Sequence, residues 1–183
     1  MFTKSFASPN APKAIGPYSP AVKLGDFVYL SGQLPLGTDG NLVAGDIQEQ
    51  AYQVLKNMEA TLAEMNLEMR HIVKTTVFLT DLNDFAALNE IYATYFSHPY
   101  PARSTVQVAA LPKGAKVEIE AIVIDTLVYE QQAMHQHSHE GCGCGEDGCG
   151  EGCDCGDGGC DCGDGGCDCG EEGETCSNGS CCG

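Results

Sequence analysis

From residue 135 to residue 183 the chain contains no Val, Ile, Leu, Met, Phe, Tyr or Trp. Such a segment has no apolar area with which to offset the entropy of ordering its backbone, so on its own it is expected to stay disordered. Whatever can build a core lies in the remainder, a length suited to one domain with one core. We read a globular domain over residues 1–130 and a low-complexity tail over 131–183, with Gln131 to Met134 as the junction.

Charge divides the same way. All nine Lys and Arg fall between Lys4 and Lys116, against 14 acids up to Glu130, which leaves the domain near −5. The tail holds 12 acids and no base. This balance argues against nucleic acid and anionic membranes as partners and favours attraction of cations. The N-terminus MFTKSFASPNAPKAIG lacks the apolar core of a signal peptide and no run approaches a membrane span, so the expectation is a soluble, cytoplasmic protein.

Within the domain, strands alternate with two helices. Gly25-Asp26 turns into a short buried strand, Phe27 to Leu30, that stops at Ser31-Gly32. Thr38-Asp39-Gly40-Asn41 marks a turn in the loop Pro35 to Gly45. Asp46 is placed to cap a helix over Ile47 to Met65, whose stripe Ala51, Val54, Leu55, Met58, Leu62 and Met65 keeps to one face. His71 to Thr80 is β-branched and strand-like. A second helix, Phe85 to Phe96, carries Phe85, Leu88, Tyr92 and Phe96 on one side, and strands follow over Ser104 to Ala109 and Lys116 to Thr126. The sum is an α+β sandwich, a mixed sheet covered by two helices. Several strands are apolar on both faces, which predicts burial of the open sheet face against copies of the same chain.

PARSTVQVAALPKGAKVEIEAIVI, Pro101 to Ile124, is the richest stretch for chemistry. Arg103 precedes one strand; Glu118 and Glu120 share a face of the next, while Val117, Ile119 and Ala121 take the other. If the two strands pair across the Pro112–Gly114 turn, a guanidinium and a carboxylate could frame an anion pocket. The competing reading is a hairpin with a surface salt bridge. His71 and His98 lack evident partners and read as surface histidines; Tyr29, Tyr92 and Tyr95 read as packing.

Three segments together, IGPYSPAVKLGDFVYLSGQLP (Ile15 to Pro35), IVKTTVFLTDLNDFAALNEIYATYF (Ile72 to Phe96) and PARSTVQVAALPKGAKVEIEAI, resemble the RidA (YjgF-type) enamine/imine deaminases. The resemblance implies a chorismate-mutase-like fold, a homotrimer whose sheets close a central barrel, and active sites in the clefts between subunits. It implies substrates such as 2-aminoacrylate, 2-iminopropanoate and 2-iminobutanoate, hydrolysed to 2-oxo acids and ammonia without a catalytic cofactor. Carried over by position, Arg103 holds the substrate carboxylate as a bidentate fork and the Gly32 N–H adds a bond to it. Glu120 orients the attacking water and shuttles a proton, Tyr18 and Asn89 line the cleft, with Tyr18 reaching it from the neighbouring subunit, and Ser31 supports them. Many relatives carry Cys where this chain has Thr105, whose hydroxyl can still reach the carboxylate.

The tail has its own logic. Cys153-Asp-Cys155, Cys160-Asp-Cys162 and Cys167-Asp-Cys169 recur every seven residues, with Gly-Asp-Gly-Gly between them. His135, His137, His139, Cys142, Cys144 and Cys149 stand ahead of this repeat, and Cys176, Cys181 and Cys182 behind it. Thiolates spaced by glycines can wrap a small soft ion, which suits Cu(I) or Zn, while the histidines add capacity for Zn or Ni. The array resembles the Cys-x-Cys runs of metallothioneins. A disulfide scaffold needs an oxidising compartment, and an inert linker has no use for 12 thiols. Two functions follow: an imine deaminase with an accessory metal-binding tail, or a metal-storage protein that uses the domain as a carrier. A non-catalytic ligand binder on the same cleft is a third.

Overall fold

The computed structural model describes residues 2–137. Six strands form one sheet: β1 (Lys4–Phe6), β2 (Ala21–Leu24), β3 (Phe27–Gln33), β4 (Ile72–Leu79), β5 (Ala102–Gln107) and β6 (Val117–Ile124), in the order β1-β2-β3-β6-β4-β5. Every neighbouring pair is antiparallel except β4 and β5. That exception follows from the long helix α2 (Phe85–Tyr95), which returns the chain to the starting end of β4. The expected α+β class and mixed sheet are therefore found, together with two strands, β1 at the edge and β2 beside it, too short to read beforehand.

Helix α1 (Ile47–Ala63) starts where Asp46 allows it. The Asp46 carboxylate accepts from the N–H groups of Gln48 and Glu49, and Glu49 returns a bond to the Asp46 N–H, closing a capping box. Its apolar stripe is buried as the spacing predicts, with Val54, Leu55, Met58 and Leu62 fully enclosed. They pack on Val28, Leu30, Val77, Leu79, Val117, Ile119 and Val123 from the sheet, each worth about 1.5–3 kcal/mol of burial. Core and helices thus occupy one face of the sheet. The other face shows Phe27, Tyr29 and Val106 substantially exposed, beside half-buried Phe78, Ile122 and Ile124.

Two expectations, the pairing of β5 with β6 and a surface His71, are corrected. β5 and β6 do not pair across Pro112–Gly114, because β4 lies between them. After β5 the chain still bonds β4, Val108 N–H to the Leu79 carbonyl, and then crosses the end of that strand, where Thr80 donates to the Lys116 carbonyl. The Pro112–Gly114 segment is a 3₁₀ turn with Lys113 at φ 58°. His71 is buried rather than on the surface; its Nδ1 accepts the Glu68 N–H at 3.0 Å. The junction Gln131–Met134 lies within a third helix, α3 (Leu127–His137). The compact unit that holds the sheet ends at Leu127. His139 and every cysteine from Cys142 to Cys182 lie outside the described residues, as do the side chains of His135 and His137.

An ion pair not foreseen from the sequence joins Lys23 on β2 to Asp125 just beyond β6. Burial works to raise the Asp125 carboxyl, but the hydrogen bond and charge of Lys23, with the Leu127 N–H, overcome it and hold the group below its ordinary value. A carboxyl lowered in the folded state stabilises above the ordinary Asp range, and that contribution disappears as pH falls through the lowered value. Lys23→Met is expected to cost on the order of 1–3 kcal/mol at pH 7. In urea titrations the gap between variant and parent should close in the acid range where Asp125 protonates; a gap independent of pH would remove the ion pair as its cause.

Candidate functional site

The sheet brings the sequence-predicted site residues together in two groups, one on each face. Arg103 pairs in register with Thr75 on β4, and Thr75 with Ala121 on β6, so these three side chains share the face that carries the helices. Glu118 stands in register with Phe78, and Glu120 with Thr76, on the opposite, open face. Side-chain alternation makes the separation unavoidable: positions 118 and 121 differ by an odd number.

The first group sits at the β5 edge. Arg103 is half-buried, with its guanidinium carbon 4.7 Å from the Tyr92 ring centroid and 5.3 Å from that of Phe85. Thr105, two residues on and therefore on the same face, is half-buried. Asn89 belongs here too, lying between Phe85 and Tyr92 on α2 at helical spacing, also half-buried. Arg103 takes no part in the ion pairs Lys23–Asp125 and Arg70–Glu68.

The second group is built on an irregularity in β3. Pairing with β6 shifts between Leu30 and Gln33, and the freed Ser31 is tied instead to the loop before β2. Ser31 donates through Oγ to the Ser19 carbonyl at 2.7 Å and through its N–H to the Pro20 carbonyl at 3.0 Å. That loop also carries Tyr18, half exposed. Gly32 has no side chain for a definite reason: a Cβ there would lie 1.8 Å from the Glu118 carboxylate oxygen. Glu118 is seated in the vacated space. Burial first, and the neighbouring charge of Glu120 second, push its carboxyl above the ordinary value.

The carried-over motif points to Glu120, yet it is Glu118 that adjoins Gly32. Glu120 is exposed and opens instead onto a depression of about 230 Å³ lined by Tyr29, Lys74, Thr76 and Ile122. The sequence places both acids on one face and offers no means of choosing, because the choice depends on the bulged register of β3 against β6. Tyr92, read from sequence as packing, is buried but also lies against Arg103.

Comparison with known proteins covers this same region. The family model described as endoribonuclease L-PSP matches residues 8–125. Protein DfrA of Myxococcus xanthus is 51% identical over 127 residues, 68% of this chain and 97% of that protein. The 2-iminobutanoate/2-iminopropanoate deaminase of Mus musculus is 49% identical over 125 residues, 68% of this chain and 93% of its own. Among solved structures, RidA from an Antarctic Psychrobacter superposes with a TM-score of 0.64 at 47% identity, covering 66% of this chain and 98% of that one. E. coli TdcF with bound serine gives a TM-score of 0.63 at 48% identity, covering 66% and 98%. With matches of this extent spanning both residue groups, the chain belongs to the RidA, or endoribonuclease L-PSP, family.

Proposed function

We propose that this chain hydrolyses 2-imino acids and their enamine tautomers to 2-oxo acids and ammonia. The observation that carries the reading is Arg103, a half-buried guanidinium held against aromatic rings with no ion pair among the described residues. Its planar N–H fork is left to receive a carboxylate bidentately. The relatives named 2-iminobutanoate/2-iminopropanoate deaminase, at 46–49% identity, support the substrate class.

Chemically, Glu118 serves as base. It takes a proton from water as the oxygen adds to the C=N carbon and the π electrons move to nitrogen. It then returns the proton to that nitrogen, and transfer of the carbinolamine's hydroxyl proton to the amine lets the C–N bond break, its electron pair leaving with ammonia as C=O forms. Gly32 adjoins this carboxylate, with Ser31 next to Gly32 in β3 and Tyr18 on the loop that Ser31 bonds, whereas Arg103, Asn89 and Thr105 hold the substrate's other end. Because one chain turns the two groups to opposite faces, a complete site needs a second copy, and the exposed Phe27, Tyr29 and Val106 give the copies apolar surface to bury. A closed trimer satisfies both demands.

Release of pyruvate and ammonia from freshly generated 2-aminoacrylate, faster than the buffer rate, tests the reading; ligand binding without turnover would leave the binder in its place. An endoribonuclease, the activity in the family model's description, would have to draw a polyanion onto a chain of net charge −17. Among the described residues no helix is long and apolar enough to cross a membrane.

For the tail we propose metal binding, from the thiol spacing alone. Thiols must ionise to coordinate, so Zn²⁺ added to the reduced, metal-free protein is expected to release protons and to bind less tightly as pH falls. At four thiolates per ion, 12 cysteines close roughly three zinc sites. Less than one ion per chain in reducing buffer would leave the linker or disulfide readings. Turnover should survive removal of residues 138–183, since the site residues all precede Ile124.

A further inference from the structure

We propose that Tyr92 is a positioning residue for Arg103, holding the guanidinium at the β5 edge while leaving its N–H donors uncommitted. The proposal rests on the imino-acid reading, in which Arg103 receives the substrate carboxylate. A carboxylate partner would occupy the very donors a substrate needs. A ring face attracts the cation through its quadrupole and consumes no N–H. Here the guanidinium carbon lies 4.7 Å from the Tyr92 centroid and 5.3 Å from that of Phe85.

Tyr92 is itself fixed from two sides. Its hydroxyl is 2.9 Å from Oγ1 of Thr75, a fully buried residue that stands in register with Arg103 on the neighbouring strand. Its ring stacks on Phe96, centroids 4.4 Å apart at 30°. The Thr75 bond ties α2 to β4, so the ring cannot slide along the sheet without stranding two buried hydroxyls. Phe85 is 37% exposed and lacks any such anchor, which makes it the weaker holder of the pair.

The test is a double-mutant cycle on turnover of 2-iminopropanoate generated in situ, with binding of the product pyruvate by calorimetry as a second reading. Tyr92→Leu is expected to raise KM and the pyruvate Kd roughly tenfold with kcat within about twofold; Tyr92→Phe, which keeps the ring, should raise them only about two- to threefold. In an Arg103→Ala background Tyr92→Leu should add nothing, because the residue acts through the arginine. Phe85→Leu, at a half-exposed position, is expected to raise KM two- to threefold and keeps the test open if Tyr92→Leu does not fold. Unchanged KM in these variants, or equal losses with and without Arg103, would overturn the proposal. If Arg103→Ala alone hydrolyses imines at the parental rate, the functional reading fails instead, and the two outcomes are told apart by that single variant.

Discussion

Glu118→Gln is expected to lower kcat/KM for 2-iminopropanoate by about 10²–10⁴-fold, the usual worth of a positioned general base. The amide keeps the shape that fills the space at Gly32, so the fold and the β3 irregularity should persist, and the loss falls on proton transfer. Glu120→Gln is expected to retain most activity, with a diagnostic change in pH dependence. Within one chain the groups beside the Glu118 carboxyl are Gly32 from β3, Phe78 from β4 and Glu120 two places along β6, of which Glu120 alone is charged; in the proposed assembly the charge facing it from a second copy is Arg103. The base works only when ionised, so activity falls as pH drops through its raised value. Removing the Glu120 charge lowers that value, and the acid limb of the kcat/KM profile should move to lower pH. Should Glu120→Gln be the inactive variant and Glu118→Gln the active one, the two roles are reversed.

Arg103→Ala should cost on the order of 2–4 kcal/mol in kcat/KM, the loss of a charged bidentate contact strengthened in a cleft closed to water. Arg103→Lys should recover little of it, since an ammonium offers neither the planar fork nor the same fit to the Tyr92 and Phe85 faces. The two inactive variants also test the shared site. If Arg103 and Glu118 of one functional site come from different copies, unfolding and refolding an equal mixture of Arg103→Ala and Glu118→Gln chains should restore about a quarter of the parental activity, each half being intact with even odds. No recovery, with mixed assemblies demonstrated by mass spectrometry, would place both residues of a site in one chain and contradict the facing of β5 and β6.

Much of the fold was legible because local chemistry and tertiary demand agree. Asp46 has the right side chain at the right place to cap α1, and Val54, Leu55, Met58 and Leu62 recur at the helical period, so both the start and the buried face could be read. β1 and β2 were missed for the opposite reason: Lys4–Phe6 and Ala21–Leu24 are three and four residues long and owe their conformation to the strands beside them. His71 was misjudged because its burial depends on a 3₁₀ turn that no periodicity announces.

The sequence by itself determined where a core can form, which residues carry charge and thiols, and that Glu118 and Glu120 share one side of a strand while Arg103 opens another. Those are properties of composition and of a period of two. Tertiary structure alone decided which acid enters the space that Gly32 leaves open, because the shifted pairing of β3 with β6 brings Glu118 there. It also decided that β4 separates the strands of Arg103 and Glu118 and turns the two side chains apart. Strand order and register are set by contacts between residues far apart in the chain, and a period of two fixes which side chains share a face but not what lies across from them.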